Sequence, residues 1–332
     1  MAINITPTTI QVGNFKFRET DTGIEFTGQA NTAGIVSGHQ AQGSVSGYAS
    51  GGITSPGAFV NTIDKFSFSV DGNATDVGDQ TSGRYYGAGQ SSSTHGYTSG
   101  GQTSPGSVDT IDKFPFAVDA NATDVGNLSQ ARRWMGGQSS SVSGYTSGGA
   151  GSGEPDHKDT IDKFPFSVDT NATDVGNLTQ SRSLNAGHSS ETDGYVSGGQ
   201  SGPGVQRDTI DKFPFSVDTD ATDVGNLTQS RQGPKGQNSS THGYSVGGFA
   251  PPQVNTIDKF LFSVDINATD VGDLTQARYG IASQSSLVSG YASGGQPNHV
   301  DTIDKHPFIS DNNATDVGNL TQGRRSASGQ QV

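Results

Sequence analysis

One segment occurs six times along the chain. Thr-Ile-Asp-Lys recurs at spacings of 48, 50, 49, 47 and 46 residues. The copies begin at Thr62, Thr110, Thr160, Thr209, Thr256 and Thr302. Two copies agree over a longer stretch, because Thr160–Arg182 and Thr209–Arg231 differ only where Asn171 is replaced by Asp220. Periods of this length are typical of solenoids and propellers.

Each copy has the pattern of four short β-strands. Residues 161–168 alternate, with Phe164 and Phe166 on one side and Ile161 on the other, so we expect the phenylalanine side to be buried. Asp169 to Thr173 has the composition of a turn, and Val175 with Leu178 marks the next strand. Residues 187–190 and 195–199 supply two further strands. No segment shows helical periodicity.

Four strands in 46–50 residues, repeated six times, favour a β-propeller over a solenoid because a propeller closes on itself. The hydrophobic content of only 30% leaves disorder as an alternative. A disordered chain, however, has no need to keep alternation and turn chemistry in phase over six copies. The last copy stops inside what would be the next first strand, and residues 40–48 supply a matching strand, so we expect the two ends of the repeat region to share one blade.

The order of elements resembles the kelch repeat. In this chain a strand ending in Gly-Gly (97–101) is followed by a variable loop, an aromatic strand (110–118), a turn and a final strand that approaches Arg132. The tryptophan typical of the family after the turn is absent, and valines such as Val125 take its place. The resemblance implies an all-β, six-bladed kelch-like propeller over residues 37–332.

Residues 1–36 lie outside the repeat and predict a short β-hairpin or arm. Thr22-Gly-Ile-Glu-Phe26 resembles the N-terminal parts of virion structural proteins of marine tailed phages, whose kelch-like repeats are also similar. The resemblance implies that this arm attaches the chain to other virion proteins.

Composition excludes several classes of function. The net charge of −13 disfavours nucleic-acid binding, because an acidic surface repels phosphate. The chain has no cysteine, which excludes disulfides and thiol catalysis. It has no run of 18 apolar residues, so we expect no membrane insertion.

Two repeated sets of polar residues have structural explanations. Asp162, Lys163 and Arg182 could form a charged network, and their presence in every copy favours a structural ion-pair or strand-edge role over catalysis. The Asp-x-Asn-Ala-Thr-Asp turn could bind calcium, but it lacks the glycine and bidentate glutamate of an EF-hand loop. We predict no catalytic residue, no metal and no cofactor.

The copies differ in two places, the loop between the second and third strands and the link between blades. An up-and-down propeller places both on one face, which we call the variable face, and function usually lies on such loops. The candidate binding residues there are Tyr85, Tyr86, Trp134, His157, Lys158, Arg207, Lys235, Tyr279 and His299.

These features lead to one main hypothesis. The protein is a non-enzymatic phage structural protein (fibre, tail or capsid-associated) located in the virion. Its propeller serves host-surface or glycan binding, or virion assembly, and homo-oligomerisation stays open. The alternatives are a propeller enzyme that acts on glycans and a cellular kelch-type interaction module. An enzyme should show blade-specific acids at the centre of the ring.

Overall fold

The computed structural model describes residues 9–12, 15–20, 23–27, 42–153 and 156–332. The chain divides into two compact units, Met1–Gly38 and His39–Val332. The described residues are all-β, and they contain no helix long and apolar enough to cross a membrane.

The first unit is an antiparallel sheet of three strands in the order β1-β2-β3. They are β1 (Thr9–Val12), β2 (Phe15–Thr20) and β3 (Gly23–Thr27). The predicted hairpin corresponds to β2 and β3, and β1 adds a third strand to it. The attachment role of residues 1–36 stays a prediction.

The second unit is a six-bladed β-propeller whose blades are four-stranded antiparallel sheets. Blade 1 contains β4 (Ser46–Ser50), β5 (Thr62–Ser67) and β6 (Thr75–Asp79). Blade 2 contains β7 (Ala88–Ser91), β8 (His95–Gln102), β9 (Ser107–Pro115) and β10 (Thr123–Asn127). Blade 3 contains β11 (Gly136–Ser139), β12 (Ser143–Ser147), β13 (Thr160–Pro165) and β14 (Thr173–Asn177).

The other three blades repeat this order from the inner to the outer strand. Blade 4 contains β15 (Ala186–Ser189), β16 (Asp193–Gln200), β17 (Gln206–Pro214) and β18 (Thr222–Asn226). Blade 5 contains β19 (Lys235–Asn238), β20 (His242–Val246), β21 (Thr256–Leu261) and β22 (Thr269–Asp273). Blade 6 contains β23 (Ala282–Ser285), β24 (Ser289–Ser293), β25 (Thr302–Pro307) and β26 (Thr315–Asn319).

The inner strand of blade 1 comes from the end of the chain. β27 (Ser328–Gln331) pairs with β4, so that Gln330 lies opposite Tyr48. Nε2 of Gln330 also donates to the carbonyl oxygen of Tyr97 in blade 2 over 2.9 Å. Ring closure by a shared blade therefore follows the prediction, with Gln40 and Ala41 outside the described residues.

Neighbouring blades pack face to face, so both sides of the third strand are buried. Phe164 is 2% exposed, as expected, but Ile161 on the opposite side of the strand is 0% exposed. The expectation that only the phenylalanine side is buried was wrong, because each blade lies between two others. Val168, which continues the phenylalanine side, is 58% exposed because it follows the strand in the turn.

The Gly-Tyr pair of the second strand packs against aromatic rings of its own blade and of the next blade. A side chain at Gly144 would overlap the ring of Phe164, which explains the repeated glycine. Tyr145 stacks on Phe215 of blade 4 with ring centroids 4.8 Å apart, and it also contacts Phe213. The repeated aromatic residues therefore act between blades, and such pairs contribute about 0.5–1.5 kcal/mol beyond the area they bury.

The charged residues of the repeat also pair between copies. Asp162 contacts Arg132 of the preceding interblade segment, whereas Arg182 contacts Asp211 of the next blade. Lys163 pairs with Asp218 at the partly exposed surface. The structural ion-pair role is thus present, but a single network of Asp162, Lys163 and Arg182 is not. The strand-edge role was wrong for Lys163, because β13 is paired on both sides.

The Asp-x-Asn-Ala-Thr-Asp turn docks on the preceding blade. In blade 3, Oδ1 of Asn171 accepts a hydrogen bond from the backbone N–H of Asn127 over 3.0 Å. The N–H of Ala172 donates back to the carbonyl oxygen of Asn127. Oδ1 of Asp174 accepts the N–H of Gly176 in β14, directly after the turn. These bonds give the turn a structural role, and the described residues contain no group of three or more ligating side chains placed to hold a metal.

Candidate binding site at the channel mouth

Small residues line the axis of the propeller. The second residue of each inner strand is glycine in five blades and serine in the other. A side chain at Gly137 would overlap the carbonyl oxygen of Gly89, and one at Gly187 would overlap that of Gly137. Ser283 fits because its Oγ donates to the carbonyl oxygen of Gly236 over 2.7 Å. The glycines therefore set how closely the inner strands can approach.

A narrow polar channel remains between the inner strands, with a volume of about 60 Å³. The backbone and side chains of the repeated small residues and serines form most of its wall. Among the described residues, none of those lining it is acidic. The blade-specific departures from the repeat in this wall include Lys235, Asn185 and Met135.

A second cavity, which we call the mouth pocket, has a volume of about 20 Å³. Its walls include Tyr86, Trp134, Leu184 and Tyr279, each from a segment that links two blades. The cavity therefore lies where the inner strands begin, on the variable face. Lys235 and Asn185 line both the mouth pocket and the channel, so the two cavities adjoin there.

The backbone at this mouth is left-handed in every blade. Tyr86, Trp134, Leu184 and Ser326 have φ values of 62°, 64°, 53° and 58°, and the equivalent positions in the other two blades are glycines. Neighbours are joined by hydrogen bonds, since the N–H of Trp134 donates to the carbonyl oxygen of Tyr86 and that of Leu184 to Trp134. Glycine adopts this conformation readily, whereas a residue with a side chain loses about 1–2 kcal/mol.

Aromatic rings are concentrated on one side of the mouth. Tyr86 contacts Trp134 edge-on with ring centroids 5.4 Å apart, and Tyr85 stacks against Phe59 at 4.9 Å. Tyr85 also contacts Tyr86 at 4.4 Å. The guanidinium of Arg133 lies over the Trp134 ring, 4.1 Å from its centroid.

Cationic groups surround these rings. Nη1 of Arg325 donates to the hydroxyl of Tyr86 over 2.9 Å, and its Nε donates to Nε2 of His299 over 3.3 Å. Burial and the positive charge of Arg325 lower the pKa of His299. Burial raises the pKa of Tyr279, and nearby Tyr86 adds to this effect. His299 is therefore neutral at pH 7 and can accept the hydrogen bond from Arg325.

Lys235 differs most from the repeat. It takes the first position of β19, where the other inner strands have alanine, glycine or serine. The ammonium group has no acidic partner among the described residues, and burial lowers its pKa to about 8. The side chain keeps partial exposure through the cavities. At pH 7 it therefore adds a positive charge to the wall that the mouth pocket shares with the channel.

The structure brings four of the predicted residues together, since Tyr86, Trp134, Lys235 and Tyr279 line the mouth pocket. Tyr85 contacts Tyr86 directly, whereas His299 is connected to Tyr86 through Arg325. The other three do not line either cavity. His157 lies 3.0 Å from Oγ of Ser183, Lys158 pairs with Asp156, and Arg207 donates to Oγ of Ser201.

The site also contains residues that are not among the candidate binding residues. Asn185 and Ser326 line the mouth pocket, and Arg133 and Arg325 contact its aromatic residues. Ser326 is the copy-equivalent of Tyr86 and Trp134, so alignment of the repeats alone would have found it. Asn185 lies in the variable link between blades 3 and 4, where every other copy has a different residue, so comparison of the repeats also indicates it.

No known protein-family profile matches the chain, and no curated protein matches it significantly.

Proposed function

We propose that this protein is a non-enzymatic, kelch-like structural protein of a phage particle. It uses the variable face of its propeller to bind a glycan on the host surface. The first unit attaches the propeller to other virion proteins. The viral part of the proposal rests on the resemblance of residues 22–26 and of the repeats to phage virion proteins.

The residues with left-handed backbone at the mouth are the main support for a binding role. Two of the six positions use glycine, Gly233 and Gly280, so the fold accepts glycine there. Tyr86, Trp134 and Leu184 occupy the same conformation at an energetic cost, and all three line one pocket. Strained backbone conformations of this kind cluster at functional sites, because a residue that lowers stability is retained where its side chain is needed for function.

The type of side chain supports a sugar ligand. Tyr86, Trp134 and Tyr279 provide flat apolar surfaces with polar edges, which suit the faces and hydroxyls of sugar rings. The channel behind them is lined mainly by residues that recur in each blade. Repeated residues fit a scaffold, whereas an enzyme of this architecture would need blade-specific acids there.

The location is tested on purified phage particles. Quantitative mass spectrometry and electron microscopy with an antibody to the propeller should find the chain at a constant copy number in every particle. Finding it only free in the infected cell would overturn the virion assignment.

The binding role is tested by host adsorption. Particles that carry Trp134→Gly should adsorb more weakly than wild type, because glycine fits the backbone but removes the aromatic wall. Val142→Ser is the matched control, since Val142 is 65% exposed in a turn between the first and second strands on the opposite face. Equal adsorption of the two variants would exclude binding through this face.

A further inference from the structure

The mouth pocket contains polar atoms that the fold leaves unused. Among the described residues, Nε1 of Trp134, Oδ1 of Asn185 and Oγ of Ser326 are buried and have no hydrogen-bond partner. All three residues line the pocket, and the side chains of Asn185 and Ser326 belong to residues that are 1% and 3% exposed. Most buried polar atoms in proteins are hydrogen-bonded, so a cluster of unpaired ones needs an explanation.

Each of these unpaired atoms can be classified as a hydrogen-bond donor or acceptor. The indole N–H of Trp134 only donates, and the hydroxyl of Ser326 can donate. Nδ2 of Asn185 is directed to the carbonyl oxygens of Ser147 and Arg182, at 3.4 Å each, which leaves Oδ1 as an acceptor. Lys235 adds an ammonium group that donates and carries charge. The pocket therefore offers three donors, one of them cationic, and one acceptor.

We infer that the mouth pocket binds the carboxylate of a hydroxylated acid, with Lys235, Trp134 and Ser326 as donors to the carboxylate and Asn185 as acceptor from a hydroxyl. This inference rests on the proposed function in taking the variable face as the recognition face. It adds the chemical class of the ligand.

Charge and size both favour this ligand. No acidic residue among the described ones lines either cavity, so a carboxylate meets Lys235 without competition. Hydrogen bonds to ionised groups are about twice as strong as neutral ones. A bound water requires about 10–15 Å³ of cavity volume, so the pocket of about 20 Å³ holds one to two water-sized groups, such as the oxygens of one carboxylate.

The rest of the ligand lies outside this pocket. The adjoining channel begins at Asn185 and Lys235, where a hydroxyl can reach the acceptor. A uronic acid would place its ring against the aromatic residues of the mouth, whereas a small free hydroxy acid would extend only into the adjoining channel. Both ligands share the chemistry of a carboxylate with a hydroxyl.

Trp134 is the only tryptophan of the chain, so its fluorescence reports on the pocket directly. We would titrate the full-length protein at pH 7 and constant ionic strength with glycolate, acetate, the neutral glycolamide and glucuronate. Wild type should show a saturable change with glycolate and glucuronate, a weaker affinity for acetate, and no response to glycolamide. Glucuronate binding more tightly than glycolate would identify an acidic sugar, and the reverse order a small free acid.

Substitution tests the role of Lys235. Lys235→Met should weaken binding of the preferred acid by about tenfold or more, because it removes the charged hydrogen bond. Lys212→Met is the matched control, since Lys212 pairs with Asp265 and does not line the cavities, so the affinity of this variant should equal that of wild type. Circular dichroism establishes that each variant is folded.

The assignment has clear contrary results. It is overturned if neither acid binds, if glycolamide binds as tightly as glycolate, or if Lys235→Met binds like wild type. Acetate binding as tightly as glycolate would overturn the role of Asn185. A negative titration leaves the location in the particle and the host-adsorption result intact, whereas absence of the chain from particles leaves the pocket chemistry intact, so the two proposals fail separately.

Discussion

Nη2 of Arg132 donates to Oδ2 of Asp162 over 2.9 Å, and neither side chain is exposed. Arg132 lies in the segment that links blades 2 and 3, and Asp162 lies in the third strand of blade 3. Asp162 also accepts hydrogen bonds from the backbone N–H and Oγ of Ser129. The same arrangement occurs in every blade, so each interblade segment is held down by a buried ion pair.

Asp162→Asn should lower the free energy of unfolding by about 3–5 kcal/mol, because it leaves the charge of Arg132 buried without a counterion. Lys163→Gln is the control, since its pair with Asp218 is partly exposed and should contribute less than about 1 kcal/mol. Urea denaturation followed by tryptophan fluorescence measures both values. Similar losses in the two variants would contradict a special role for the buried pair.

The channel glycines should not tolerate a side chain. Gly137→Ala is expected to lower the free energy of unfolding by about 1–3 kcal/mol or more, because the new Cβ overlaps the carbonyl oxygen of Gly89. Gly72→Ala provides the comparison, as nothing lies within 4 Å of its added Cβ, and it should change stability by less than about 0.5 kcal/mol. Thermal melting distinguishes the two. A stable Gly137→Ala variant would show that the inner strands can move apart.

Two buried histidines should make the propeller sensitive to acid. Burial lowers the pKa values of His188 and His306 to about 4 from a usual 6.5. Between these values the unfolded chain binds protons that the folded chain does not. The free energy of unfolding should therefore fall as the pH drops from about 6.5 to about 4, by on the order of 3 kcal/mol per histidine.

The repeat supplies the matched substitutions for this test. Gln occupies the position of His188 in the other five blades, and Phe occupies that of His306. The double variant His188→Gln/His306→Phe should lose less stability between pH 6.5 and 4 than wild type, as measured by denaturation at each pH. An unchanged dependence would mean that other groups, such as the carboxylates, account for acid unfolding.

Lys235 should make the free energy of unfolding depend on pH in the alkaline range. Its pKa is lowered to about 8 in the folded protein, so the unfolded chain binds the extra proton between pH 8 and 10.5. Stability should rise over that range by on the order of 2 kcal/mol, after allowance for its partial exposure. Lys235→Met should abolish this rise. In wild type, carboxylate affinity should also decline above pH 8, since the ammonium loses its charge, and a constant affinity would argue against Lys235 as the counterion.

Substitution at a left-handed position should weaken ligand binding with little change in the free energy of unfolding. Leu184→Gly removes strain of about 1–2 kcal/mol at φ 53°, which offsets the contacts that the half-buried side chain loses. We therefore expect a change in the free energy of unfolding within about 1 kcal/mol, accompanied by weaker ligand binding. Urea denaturation and the fluorescence titration measure the two effects. A loss above 2 kcal/mol would show that Leu184 is mainly structural.

Much of the fold was predictable from the repeat. The period and the number of copies predict six four-stranded blades, and the incomplete last copy predicts that its strand completes the blade begun near Tyr48. These inferences succeed because the same residues make the same packing contacts in each blade. The alternation also identified Phe164 as buried, but a single copy could not show that Ile161 is buried as well, since a second blade covers that side.

The candidate site was only partly predictable. The dissimilar residues between copies pointed to Tyr86, Trp134, Tyr279 and Lys235, because variation against a constant background marks the variable face. The same criterion also selected His157, Lys158 and Arg207, which do not line either cavity. Sequence variation indicates which face a residue lies on but not its distance from the axis.

The sequence by itself determined the architecture, because periodic spacing and strand alternation are local properties that survive in a linear chain. The tertiary structure alone decided which copies interact. Asp162 pairs with Arg132 rather than with Arg182, and Lys235 lines the same two cavities as Asn185. These contacts arise from the packing of each blade and its links against their neighbours, which brings together residues whose separation along the chain carries no information about their distance in space.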